Sequence, residues 1–300
     1  MKPDEPNRSR GKPPVGSETR RPGFHIEPVG PISTKEMKLP IVKWGMKRHA
    51  RAFTLMELLV IIGIIGILAA MILAAVCRAK NSASKVTDIN NLHQVMIALH
   101  TYCADSGDVL TRPNWDDGHV LSDGKAHEGW LYLLDLSAAG PSRFPVKTGS
   151  LWPILQTPKV YCCPMDKPDK VRYSATAGND MQRPQQDSSY AMNGAVSGFY
   201  YGTAHPEIPP MKLSAFRPTD CAFWETDESD PHNFNDGANK PNEGVSPRHN
   251  QGAIQAAFDT SVSYIRFDAW NKDVDDPGKN RLWCYPNTTD GGDPEKGHNL

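Results

Sequence analysis

The chain has 300 residues, a formal net charge of −1 at neutral pH, 26 prolines, 24 glycines and a hydrophobic share of 39%. That share excludes a wholly disordered chain, and the length excludes an array of many domains. The near-zero charge hides two unlike parts: residues 1–52 hold twelve Lys or Arg against five Asp or Glu (+7), and the remainder holds 21 against 29 (−8).

The first 45 residues are rich in Pro, Gly and charge and read as a tail with nothing to form a core. The tail is basic but its two aromatics, Phe24 and Trp44, are too few and too far apart for a stacking pattern, so no nucleic-acid partner is expected. Met46-Lys47-Arg48-His49-Ala50-Arg51-Ala52 is by itself a short basic leader, which makes Met46 a second candidate for the translation start.

Leu58 to Cys77 is an uncharged run of twenty residues. As a helix it spans about 30 Å, the thickness of a bilayer's hydrocarbon core. One carboxylate, Glu57, stands at its leading edge, four residues after Phe53 and so on the same helix face. A chain cut before Phe53 would place a new α-ammonium at the membrane edge, where Glu57 of the same or a neighbouring chain could pair with it. Such a pair is favoured over two unpaired charges and would set the axial register of packed helices. An ordinary single-pass anchor, its Glu reaching into the headgroups, has the same letters.

Ala52-Phe53-Thr54-Leu55-Met56-Glu57-Leu58-Leu59-Val60 resembles the prepilin cleavage and methylation motif of type IV pilins and type II secretion pseudopilins. The resemblance implies cleavage between Ala52 and Phe53 by a prepilin peptidase, N-methylation of Phe53, retention of the apolar segment and a role for Glu57 in assembly. The family usually has Gly before the cut, where this chain has Ala52. Arg78-Ala79-Lys80, Asn90-Asn91-Leu92-His93-Gln94 and Ala98-Leu99-His100-Thr101-Tyr102 are similar to a pseudopilin-like group with a C-terminal H-X9-DG element. Cys163-Pro164 and Ser189-Tyr190-Ala191-Met192-Asn193 also resemble landmarks of that group. His249 is followed after nine residues by Asp259, and Thr260 stands where the group has Gly.

Basic residues tie immediately around the span, with Lys47, Arg48 and Arg51 before it and Arg78, Lys80 and Lys85 after it. Lys35, Lys38 and Lys43 tip the positive-inside rule toward a cytoplasmic N-terminus. The resemblance implies the same orientation: a single-pass bacterial inner-membrane protein whose C-terminal domain is periplasmic or at the cell surface.

The helix is expected to continue to about Asp105, because no Pro or Gly interrupts Cys77–Asp105. Val86, Ile89, Leu92, Met96, Leu99 and Cys103 recur at spacings of three or four and predict a stripe laid on a globular domain. His93 and His100 flank that stripe, and with no third ligand they read as packing or solvated residues.

Residues 107–300 are long enough for one domain with a core. Strands are predicted at Val160–Cys162, Ser189–Met192, Cys221–Glu225, Ala253–Phe258 and Val262–Phe267, and a short helix at Trp130–Leu134. The division is therefore a leader over 1–52, a long helix over 53–106 with its span at about 58–77, and a globular domain over 107–300. The fold class is α+β, one long helix packed on a mostly antiparallel sheet, as in pilins.

Ala253–Phe258 and Val262–Phe267 predict a hairpin with Asp259-Thr260-Ser261 at its tip. An Asp-Gly pair would suit a tight primed turn, but β-branched Thr260 resists positive φ, so a longer or bulged turn is expected. His249 and Asp259 could form a catalytic or ligand pair, yet no nucleophile, oxyanion loop or second base accompanies them. Six cysteines, at 77, 103, 162, 163, 221 and 284, contain no CxxC pair, which argues against zinc. Cys77, at the membrane boundary, is expected to stay unpaired; the other five face an oxidising compartment and could pair, with undetermined connectivity. Two acidic groups, Glu225/Asp227/Glu228/Asp230 and Asp268/Asp273/Asp275/Asp276, are solvated loop acids or, for the second, a structural calcium site. Trp224, Trp270, Trp283, Tyr264 and Tyr285 offer either a sugar-binding face or core packing.

The expected function is a prepilin-like structural subunit, assembled through its N-terminal helix with other pilin-like subunits into a pseudopilus or short filament of a type II secretion or type IV pilus-like system. The alternatives are a membrane-anchored binding module, with polysaccharide as its candidate ligand, and a tethered enzyme. No GxSxG, HExxH, phosphate loop or dinucleotide glycine pattern supports the last, so no catalytic residue and no cofactor is assigned.

Overall fold

The computed structural model describes residues 53–115, 125–138, 140–167, 187–199, 210–227 and 237–292. The leader, with Ala52 and the Met46 start, lies outside the described residues, as do Glu228 and Asp230. The chain divides into two units, Met1–Glu57 and Leu58–Leu300.

Helix α1 runs from Leu55 to Asp105 without a break, as the absence of proline predicts. Side chains 58–77 are all exposed. Further along, α1 buries Asp88, Asn91, Leu92, Val95, Met96, Ala98, Leu99 and Cys103. The predicted stripe is correct at Leu92, Met96, Leu99 and Cys103. It is wrong at Val86, which is 57% exposed, and it omits the polar Asp88, which is fully buried. Helical spacing alone cannot tell that a carboxylate faces inward, because its partners come from distant segments.

Five strands form one sheet of order β3-β1-β2-β4-β5: β1 Tyr190–Asn193, β2 Cys221–Glu225, β3 Ala238–Asn239, β4 Gly252–Ala257 and β5 Val262–Arg266. All pairings are antiparallel except β1 with β3, so the α+β class and the mostly antiparallel sheet stand. One hydrophobic core joins α1 to Tyr190, Met192, Phe223, Ile254 and Ala256. After the single-turn helix α2 (Trp152–Leu155), a second core, formed by Trp224, Ala253, Ile265 and Trp270, places helix α3 (Phe267–Asp275) against strand residues that alternate with those of the first.

Two predicted elements differ. Val160–Cys162 is not a strand; Pro158 opens a 3-10 turn over Pro158–Tyr161, its fixed φ suiting a helical start. Trp130–Leu134 is not a helix. Trp130, Leu131, Tyr132 and Leu134 are all buried, which no one-sided helix face allows, and Asn114 Oδ1 accepts the N–H of Leu131 in place of a helical carbonyl. The α3 helix, read from sequence as a loop of acids, forms because Trp270 packs on Trp224 with ring centroids 5.1 Å apart.

The β4–β5 hairpin has the longer, bulged turn expected. Thr260 N–H donates to Ala257 O (3.0 Å) and Ala257 N–H to Ser261 O (2.9 Å). Thr260 nevertheless takes φ +73°, the left-handed position that a three-residue loop of this kind ordinarily gives to glycine.

Candidate functional site

Phe53–Glu57 is the processing segment as far as it is described. Glu57 Oε2 accepts hydrogen bonds from the backbone N–H and the hydroxyl of Thr54 (2.9 Å each), and Thr54 Oγ1 accepts from Glu57 N–H (3.2 Å). This is a reciprocal capping box at the start of α1, written in the sequence as Thr-x-x-Glu and overlooked in favour of the Phe53–Glu57 spacing.

A second site lies where α1 meets the sheet. Asp88 projects from α1, Cys163 follows the turn over Pro158–Tyr161, Glu225 ends β2, and His249 precedes β4. One oxygen, nitrogen or sulfur from each lies within 4.8 Å of the others, and all four residues are buried. His249 Nε2 stands 2.9 Å from Asp88 Oδ2, 3.3 Å from Glu225 Oε1 and 3.5 Å from Cys163 Sγ. The loop that delivers His249 bends through Asn250 and Gln251, both at positive φ (57° and 64°). Two successive strained residues persist only where their surroundings hold them, here through Tyr264 OH donating to Asn250 O (2.6 Å) and Phe267 N–H to Gln251 O (2.9 Å).

Further groups orient the four. Tyr190 OH donates a short hydrogen bond to Asp88 Oδ1. Ile254 N–H donates to Glu225 Oε2 (2.8 Å), and Met165 N–H approaches Cys163 Sγ (3.4 Å). Ser189 Oγ accepts from Cys163 N–H (2.9 Å) and donates to Asp166 Oδ2 (2.6 Å), and Asp166 in turn pairs with Arg248. Burial pushes the Glu225 carboxyl above its usual range, and the Asp88 charge adds to it, against the pull of His249 and Arg248. Burial alone would push the His249 imidazole down, but the Asp88 and Glu225 carboxylates outweigh it and hold it at about 9. Burial, reinforced by the same two carboxylates, drives the Cys163 thiol up. Burial and then Asp88 drive the Tyr190 phenol up as well, so it serves as a donor.

The structure brings Cys163, Ser189, Tyr190 and His249 together, but Asp259 is elsewhere. It sits beyond the far end of six-residue β4, roughly 20 Å of strand away, where its Oδ1 accepts from Ser261 N–H (2.9 Å). The paired reading of His249 with Asp259 is therefore corrected: the carboxylates facing His249 are Asp88 and Glu225. His93 is exposed and His100 bonds Phe258 O (2.6 Å), as packing or solvation requires. Asp268 pairs with Arg266 and Asp273 with Arg281, while Asp275 ends α3 and Asp276 Oδ1 accepts from Gly278 N–H. These four acids are not gathered, and among the described residues the one group of three or more such ligands is the Asp88 cluster. No disulfide joins the six cysteines, all of which are described. Trp224, Trp270 and Trp283 are core residues, so the reading of these aromatics as packing holds and a sugar-binding face built on them does not.

Residues 47–73 match the family described as the prokaryotic N-terminal methylation motif. No curated protein and no solved structure matches the chain. The chain thus carries a prepilin-type motif followed by a long apolar helix, and is pilin-like in that part. Such a motif implies processing by a prepilin peptidase and assembly with pilin-like subunits.

Proposed function

We propose that this chain is a structural subunit of a pseudopilus or short filament, cut between Ala52 and Phe53, N-methylated at Phe53 and assembled through α1. The observation that carries this reading is the motif at residues 47–73 running directly into a helix whose apolar side chains, 58–77, lie exposed. Exposed surface of that kind is stable only in lipid or against like helices. In this reading the N-terminus is cytoplasmic, the span crosses the inner membrane once, and residues 107–300 are periplasmic or at the cell surface. The four-residue cluster at His249 is buried, and this reading gives the chain the role of a scaffold.

Cleavage before Phe53 keeps both Thr54 and Glu57, so the capping box survives processing. Glu57 then has two jobs: it caps α1 and offers its charge to an α-ammonium. The substitutions Glu57→Gln and Thr54→Ala separate them. Gln still accepts the Thr54 bonds but carries no charge, whereas Thr54→Ala loses about 1 kcal/mol of capping and leaves the carboxylate. Mass spectrometry of membrane-extracted protein should find N-methyl-Phe53 in both variants. Co-assembly with partner subunits should be lost in Glu57→Gln and kept in Thr54→Ala. An unprocessed leader in the wild type, or normal assembly of Glu57→Gln, would sink this reading.

A further inference from the structure

Three acceptors converge on one ring nitrogen at the His249 cluster, and a single N–H proton can serve only one of them well. Asp88 Oδ2, at 2.9 Å, takes it. Glu225 Oε1, on a fully buried residue, then has no hydrogen-bond partner, only His249 Nε2 at 3.3 Å and Arg248 Nε at 3.5 Å within ion-pair range. Cys163 Sγ is left at 3.5 Å. An oxygen so placed and so buried costs free energy unless something cationic sits between these atoms.

We infer that Asp88, Cys163, Glu225 and His249 form a four-coordinate zinc site that clamps helix α1 to the sheet. Two of the three spacings from His249 Nε2 are those of tetrahedral edges. Zinc bonds of about 2.1 Å to nitrogen and oxygen and about 2.3 Å to sulfur put nitrogen and oxygen about 3.4 Å apart and nitrogen and sulfur about 3.6 Å apart. The Glu225 and Cys163 distances from His249 Nε2, 3.3 Å and 3.5 Å, match these edges. The Asp88 edge, at 2.9 Å, is a hydrogen-bond length and opens by about 0.5 Å to admit the ion.

The outward oxygens of two ligands are already held by donors, Tyr190 OH on Asp88 Oδ1 and Ile254 N–H on Glu225 Oε2, and Met165 N–H approaches the ligating Cys163 Sγ itself. That is the outer layer a metal site uses to aim its ligands inward. The donor chemistry selects the metal. A thiolate and an imidazole favour zinc over calcium or magnesium, which ask for six or more oxygens. Three anionic ligands around a divalent ion leave one negative charge, beside the Arg248 guanidinium. With four protein ligands and every ligand buried, no position is open for water, so the ion is structural. The site ties residue 88 of the long helix to residues 163, 225 and 249, and so fixes how the head grips its helix. The role goes beyond filament assembly and does not depend on it.

The test uses the full chain, extracted in detergent without a histidine tag and purified in chelator-free buffer. Elemental analysis should find one zinc per chain. After chelation, reloading with Co2+ should give intense visible d–d bands of tetrahedral cobalt and a near-ultraviolet thiolate-to-cobalt band. Cys163→Ser should remove the thiolate band. Tyr190→Phe, which keeps the ring and deletes only the bond to Asp88, should weaken zinc binding about 10- to 100-fold. The wild-type cobalt spectrum does not depend on any variant folding. No stoichiometric zinc before or after reloading, octahedral cobalt bands, or a spectrum unchanged by Cys163→Ser would each overturn the site.

Discussion

The two halves of α1 are one unbroken helix with opposite environments. From Leu58 to Val76 every side chain is exposed, and nearly every one is apolar. From Asp88 to Cys103 the buried side includes a carboxylate and an amide, Asp88 and Asn91, beside Leu92, Val95, Met96 and Leu99. The first half is apolar all round, the pattern of a helix made for lipid or for other helices. The second is two-faced because it meets a sheet on one side and water on the other. The polar residues it does bury are those with partners: Asn91 Nδ2 donates to Cys162 O (3.0 Å), and Asp88 takes Tyr190 and His249.

Opposite substitutions should break this contrast in opposite ways. Leu99→Asp puts an unpaired charge at a fully buried position and should cost on the order of 5 kcal/mol, unfolding the head while membrane insertion persists. Calorimetry of the detergent-solubilised protein reads the loss. Ile65→Asp should do the reverse: insertion becomes less favourable by about 2.5–3.5 kcal/mol, and the melting of the head is unchanged. Membrane fractionation distinguishes them, and an equal fall in head stability for Ile65→Asp would mean that its half of the helix also packs on the sheet. A finer cut compares two valines nine positions apart. Val95, fully buried, should lose about 1.5–3 kcal/mol on truncation to Ala, and Val86, 57% exposed, no more than about 0.5 kcal/mol. The smallest effect is away from the helix. Thr260→Gly relieves a left-handed residue at the hairpin tip and should stabilise the head by about 0.5–1 kcal/mol after glycine's extra chain entropy is subtracted. Loss of stability there would show that the Thr260 side chain has a role its backbone does not reveal.

Strands β2, β4 and β5 were readable within a residue or two, because β5 (Val262–Arg266) mixes apolar and polar positions at strand spacing and β2 is a short run rich in strand-favouring aromatics. The segment Trp130–Leu134 was not, since its run of apolar residues carries no period and its shape is set by Asn114, sixteen or more positions away in the chain. Helix α3 was missed for a related reason: Asp268, Asp273 and Asp275 mask a helix held by the single anchor Trp270. Of the candidate sites, the Thr54–Glu57 cap was open to inspection and passed over. The cluster at His249 could be seen only in part, with His249, Cys163 and Glu225 singled out for other reasons and Asp88 not at all.

The amino-acid order by itself determined the apolar rod, the processing motif and the acid at its edge, because each depends on neighbours within about one membrane thickness of chain. Only the tertiary structure decided that residues 88, 163, 225 and 249 share one buried point. Metal-type spacing rules look for ligands close in sequence. Here the chemistry is assembled from a helix, two loops and a strand end, and it exists only once the helix has been laid on the sheet.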